Sequence, residues 1–288
     1  MTQERGGTAT SAMDRRTFLG ALPAAALVAG CGAGASSTSA RRTFERFGVQ
    51  LYTLRSAMAD DVDRTLAVVA EVGYTEVEFA GLYGLTPRQM RVKLDAVGLQ
   101  AISSHQSVAE VRGDWPRILA GAQELEQSLV VVPSIPGDER TPEGLRRLAD
   151  DFNRAGEMAR VAGLRFGYHN HDWEFGALPD GTTPMDLLLE STDPNLVDWQ
   201  MDIFWTVHGG ADPAAYLKEA AGRVTSVHLK DRTANGDMVD VGEGVIDFGA
   251  LLPLAEGFGL LHAFVEHDRP GDAVESIRRS LTHLSTVA

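Results

Sequence analysis

The stretch GYHNHDWEF at residues 167–175 places His169 and His171 around Asn170, then adds Asp172, Trp173 and Glu174. Imidazoles and carboxylates at this density are the side chains that bind divalent cations and move protons near neutral pH. The run LRFGY just before them is apolar and β-prone, so the polar cluster falls where a strand ends. The same asymmetry recurs along the chain. Apolar runs close on or carry Glu78, Ser103-Ser104-His105, Asp202, His228 with Lys230, Asp231 and Arg232, and Glu266-His267-Asp268. A mixed set of histidines and carboxylates suits Mn, Mg, Co or Zn, held with positions left open for substrate oxygens. Because the ligands come from separate segments, no short metal motif is expected.

The elements that position these residues follow from periodicity. Eight runs read as strands: RFGVQLYT, TEVEFAG, LQAISSH, SLVVVPS, LRFGYHN, LVDWQMD, VTSVHLK and LHAFVEH. Their starts are spaced by roughly 24 to 37 residues, the length of a strand, a helix and two loops. Amphipathic stretches lie between them, among them DDVDRTLAVVAEVG, TPRQMRVKLDAVG and TPEGLRRLADDFNRAGEMARVAG. Thr86-Pro87, Thr141-Pro142 and Asp212-Pro213 each set a capping residue before a proline at the first helical position. Gly73, Gly98 and Gly163 stand where left-handed helix ends are wanted. Strict strand–helix alternation predicts a parallel sheet, and eight units predict an α/β fold, a closed (β/α)8 TIM barrel in one domain over residues 45–288. A doubly wound open sheet is the rival fold; no Gly-rich phosphate loop opens the first helix, which counts against it.

The front of the chain reads differently. Arg15 and Arg16 precede Phe18-Leu19 and the apolar run ALPAAALVAG, which predicts a twin-arginine signal over residues 1–31. The run is too short for a membrane span, which needs about 20 apolar residues. It ends in LVAGC, so Cys31, the single cysteine, is predicted to be lipidated. Residues 32–44, small and polar, make a flexible linker. An exported lipoprotein, held at the cell surface or the periplasmic side by its lipid, is the expected localisation. The net charge of −14 argues against nucleic acid and anionic lipid as main partners. A homo-oligomer is allowed by the sequence but not demanded.

The segments FGVQLYTLR, GYTEVEFAG, SSH, MDIFW, VHLKD, VGEGVIDF and FVEHD resemble the xylose isomerase-like barrels, the sugar phosphate isomerase/epimerase group, over nearly all of residues 46–285. The resemblance implies a metal held by Glu, Asp, His and Glu on the fifth to eighth strands. Asp202, His228 and Glu266 stand at the last three positions. At the first, the family's Glu-Asn-His is His169-Asn170-His171, so a histidine replaces one carboxylate of the pair that shuttles a proton in the epimerases. The implied metal set is His169, Asp202, His228 and Glu266.

The expected chemistry is removal of a proton α to a carbonyl of a non-phosphorylated sugar, with His169, Glu266 or His105 as base. Lys230 is the expected oxyanion partner. Glu78, Asn170, His171, Trp205 and Arg232 are the expected substrate contacts. Reprotonation gives isomerisation or epimerisation, the leading expectation. Loss of a β-leaving group from a 3-keto-glycoside is the alternative, and a non-catalytic sugar-binding lipoprotein a second. The blander readings are that His171 and His267 only cap strand ends, that Lys230 is a solvated rim residue and that His208 is structural.

Overall fold

The computed structural model describes residues 46–287. The predicted signal, lipidated Cys31 and the whole linker lie outside the described residues. Eight parallel strands close a barrel: β1 (Phe47–Gln50), β2 (Glu76–Phe79), β3 (Gln100–His105), β4 (Leu129–Val132), β5 (Arg165–His169), β6 (Asp198–Asp202), β7 (Val224–Leu229) and β10 (His262–Val265). They neighbour one another in chain order, and β10 pairs with both β7 and β1 to shut the ring. All eight predicted runs contain a barrel strand, and the open sheet is excluded. Each crossover carries one or more helices, as parallel pairing requires.

The predicted punctuation acts as proposed. Thr86 caps α3 (Pro87–Val97) with a reciprocal Gln89 bond, and Gly98 closes it at φ 74°. Thr141 caps α6 (Pro142–Val161), and Gly163 follows at φ 77°. Asp212 caps α9 (Pro213–Glu219). Asp61 caps α2 (Val62–Val72), which ends at Gly73 in the left-handed conformation. A left-handed residue there satisfies the last carbonyls without the clash a Cβ would bring. The buried core lies between strands and helices: Val77 and Phe79 of β2, Phe166 and Tyr168 of β5, and Phe152 of α6 are all 3% exposed or less.

Inside the barrel the packing changes character. A barrel interior is ordinarily filled by bulky aliphatic side chains. Here Gln50, Glu78, Ser103 and Gln200, all 0% exposed, meet one another across the axis. Gln50 Nε2 donates to Glu78 at 2.7 Å, Gln200 Nε2 at 2.6 Å, and the Ser103 hydroxyl donates to the same carboxylate. A layer of this kind is tolerable only because its members satisfy each other.

A short hairpin, β8 (Asp231–Arg232) against β9 (Met238–Val239), rises from the end of β7 and was not expected. Asp231 explains the segment after it. Its buried carboxylate accepts from the backbone N–H groups of Gly242, Gly244 and Ile246. A Cβ on Gly244 would lie 2.2 Å from Asp231 Oδ1, so only glycine fits this wrap.

Candidate active site

The polar strand ends converge at one end of the barrel. His228, on β7, is the hub. Its Nε2 lies 2.6 Å from Glu78 Oε1 and its Nδ1 2.7 Å from Glu266 Oε2. Burial alone would strip the ring of its proton, but the two carboxylates outweigh it and push His228 up to about 10. The ring is an imidazolium that donates to both sides. Burial works against the charge on Glu78 and Glu266 as well. Facing His105 and His228 hold Glu78 well below the usual carboxylate range, and Lys230 and His228 do the same for Glu266.

His169, on β5, is in the opposite state. Burial first, then the neighbouring His228, His171, His105 and Lys230, push it well below its ordinary value. It is neutral. Gln200 Oε1 lies 3.2 Å from its Nδ1, and because the other end of that amide donates to Glu78, Nδ1 carries the hydrogen. The lone pair is left on Nε2, which faces Asp202 Oδ2 at 3.6 Å. That oxygen is buried and receives no aligned hydrogen bond, although Lys230 Nζ is 3.1 Å away. Burial pushes Asp202 up to about 6, and Lys230 works against that rise.

Two electron-pair donors thus face each other with no proton between them. This is the arrangement that a bound cation completes, and the chemistry of the donor set fits one. Asp202, His228 and Glu266 offer ligand atoms within 4.8 Å of one another, as do His105, His169 and His228. A divalent ion can be held by Asp202, His228 and Glu266 with His169 beside them only if it displaces the Nδ1 proton that His228 gives to Glu266; Glu78, accepting from Nε2, then orients the ring from behind.

The other expected residues divide. His105 Nε2 lies 2.9 Å from Gln200 Oε1 and 3.1 Å from Glu78 Oε1, and its ring stacks on His228 with centroids 5.5 Å apart. It packs the cluster instead of presenting a free base. His171 is half-buried, its ring 5.2 Å from His169 and 5.7 Å from Trp205. Its ring nitrogens have no hydrogen-bond partner among the described residues. Burial, with Lys230 adding to it, brings it down to about 4, so it too is neutral. Trp205 lies beside the cluster with its indole N–H unpartnered, Lys230 Nζ 5.9 Å from the ring. Arg232 NH1 donates to Val207 O, which ties it to α8 (Ile203–His208). His267 Nδ1 accepts from the Arg269 backbone N–H, a local cap.

Two expected substrate contacts are corrected. Asn170 is 0% exposed; its Oδ1 accepts from Trp199 Nε1 and Asp202 N, and its amide donates to Thr206 Oγ1 and main-chain carbonyls. It splices β5 to β6 and has nothing left for a substrate. Glu78 lies beneath His228, fully bonded within the barrel, and positions that ring.

Sequence reasoning missed Gln200, which sets the His169 tautomer, and Asp268, 2.8 Å from Lys230. Gln200 was findable: two residues before Asp202 in DWQMD, it faces the same side of the strand. It also missed Glu174, whose carboxylate accepts from His171 N and the Tyr168 hydroxyl and so fixes the turn of the HNH segment.

Comparison with known proteins agrees with the barrel fold. An inosose dehydratase of Geobacillus kaustophilus is 29% identical over 192 residues, 59% of this chain and 61% of the relative. The chain thus spans less than two thirds of that protein's length. An inosose dehydratase of Clostridium beijerinckii is 29% identical over 233 residues, 67% of this chain and 77% of the relative. A crystal structure of a sugar phosphate isomerase/epimerase from Parabacteroides distasonis superposes with a TM-score of 0.74 at 28% identity, covering 86% of this chain and 95% of that one. A model of the xylose isomerase-like TIM barrel matches residues 66–286, and the chain belongs to that family.

Proposed function

We propose that this enzyme removes the proton α to the carbonyl of a non-phosphorylated cyclic keto sugar or keto polyol, and then expels a β-oxygen substituent. The observation that carries this is the split among the ionisable groups of one cluster. His169 and His171 are held neutral, while His228 and Lys230 are held protonated. Groups driven apart in this way are an acid and a base waiting for a substrate. A divalent ion at His169, Asp202, His228 and Glu266, bound with release of the His228 Nδ1 proton, would supply Lewis-acid polarisation of the carbonyl and leave Lys230 as the acid.

The residues do the rest. His171, the imidazole with both nitrogens unengaged, takes the α-proton. The electron pair left on carbon forms the C=C bond as the β C–O bond breaks. Lys230 gives its proton to the departing oxygen, so a hydroxyl leaves as water and a glycosyloxy group as an alcohol. Elimination is favoured over epimerisation because epimerisation needs a base on each face of the substrate. The strand-5 partner is here a neutral imidazole tied to Gln200. The relatives named inosose dehydratases support the same outcome.

Lys230 is enclosed by three carboxylates and is not itself available to grip a phosphate. This supports a neutral substrate and agrees with the exported, lipid-anchored placement read from the front of the chain.

The test is incubation with Mn, a keto-inositol and a 3-keto-glucoside in D2O. An unsaturated ketone with its α-hydrogen lost, or the diketone it tautomerises to with one solvent deuterium on the former β-carbon, is expected. An epimer formed without any unsaturated product would replace elimination by epimerisation. Clear preference for a phosphorylated ketose would sink the substrate assignment.

A further inference from the structure

Lys230 is the cation built into the acidic side of the site. Its ammonium lies 2.7 Å from Glu266 Oε2, 2.8 Å from Asp268 Oδ1 and 3.1 Å from Asp202 Oδ2, and the residue is 2% exposed. Two of those oxygens belong to the candidate ligand set. They cannot bond an ammonium and a divalent ion together without holding two positive centres within a few ångströms, where repulsion is large in a buried site. The third oxygen is different. Asp268 is outside the ligand set, and its side chain is 27% exposed on the solvent side. The Trp205 ring, 5.9 Å from Nζ, offers a second surface on which an ammonium rests well.

We propose that Lys230 is a resident counter-cation and that a divalent ion enters by exchanging with it. The ammonium leaves Asp202 and Glu266 and stays with Asp268 beside Trp205, at the mouth. This rests on the metal reading of the site and adds to it a device that offsets the negative charge of the empty site and keeps it assembled. Without the ammonium, Asp202 and Asp268 would lose their cation and Glu266 would keep only His228, a costly state for buried carboxylates.

A lysine that merely props up the ligands and a lysine that competes for them differ in sign. Loss of a prop weakens metal binding, whereas loss of a competitor tightens it. The experiment is calorimetric titration of the chelator-treated full chain with MnCl2, with thermal unfolding in both states, for the wild type, Lys230→Met and Lys230→Arg. Lys230→Met is expected to bind Mn tighter by about tenfold or more. It should melt lower than the wild type without metal, and gain more from Mn than the wild type does. Lys230→Arg keeps the charge and is expected to bind no tighter than the wild type. If Lys230→Met does not fold, Lys230→Gln serves with the same expectation. Equal or weaker Mn binding by a folded neutral variant overturns the exchange and leaves the metal site standing. If neither wild type nor variant takes up Mn at millimolar concentration, the metal reading and the exchange fall together.

Discussion

The barrel carries inward-facing histidine–glutamate pairings at both ends, and the two ends differ in kind. At the base, His262 on β10 meets Glu76 on β2 at 2.9 Å. Among the described residues neither makes another ion pair. At the mouth, His228 on the neighbouring strand lies between Glu78 and Glu266, with Lys230, Asp202 and two further histidines within one cluster. Glu76 and Glu78 are two residues apart on one strand. The same residue types, one layer apart, make a strut in one place and a reactive centre in the other. What separates them is connectivity: the basal pair closes on itself, while each mouth residue answers to two or three charged neighbours, which is what shifts protonation states.

The contrast is broken most severely at its hub. His228→Leu removes a cation from between two buried carboxylates and is expected to cost about 3–5 kcal/mol of unfolding free energy, with loss of metal uptake. Urea denaturation and elemental analysis would show both. Next in size is Glu78→Gln, which removes the carboxylate behind a candidate ligand. Mn affinity should fall by about 10–100-fold by calorimetry. The matching change at the base, Glu76→Gln, should leave it alone, and an equal fall at both would erase the distinction drawn here.

A pH series on the chelated protein sharpens it further. His228 has a folded value raised to about 10 from 6.5, so its stabilising contribution is complete below 6.5 and lost as pH rises through 10. Glu266 and Glu78 are depressed, so theirs is present above 4.5 and lost as pH falls. His169 and His171 are depressed, so they add a loss of stability as pH falls below 6.5, and the melting temperature should therefore be highest near pH 6.5 and decline on either side. The smallest effect belongs to His262→Asn, about 1 kcal/mol, with formation of the unsaturated ketone unchanged.

Much of this was legible beforehand because a parallel barrel writes its plan locally. Proline after a capping residue starts helices, glycine ends them, and apolar runs between are strands. The polar strand ends named His228, Glu266, Asp202 and Lys230 directly. What stayed hidden has a common cause. Asn170 has the type and place of a substrate contact, but its four hydrogen bonds into β6 and α8 depend on which way a strand end turns. Gln200 looks like an unremarkable amide until the tautomer of His169 is asked about. The β8–β9 hairpin rests on two-residue strands around Asn235-Gly236, with Gly236 at φ 98°; the dipeptide was a usable signal, overshadowed by the charged residues before it.

The polar layer under the site has a practical consequence for redesign. Gln50, Ser103 and Gln200 reach no substrate, yet together they hold Glu78 and, through it, His228. Copying the mouth residues into another eight-stranded scaffold with an aliphatic interior would transplant the letters without their grammar. Loops above the rim that do not wrap around Asp231 are the place to alter what the site admits while the foundation stays in place.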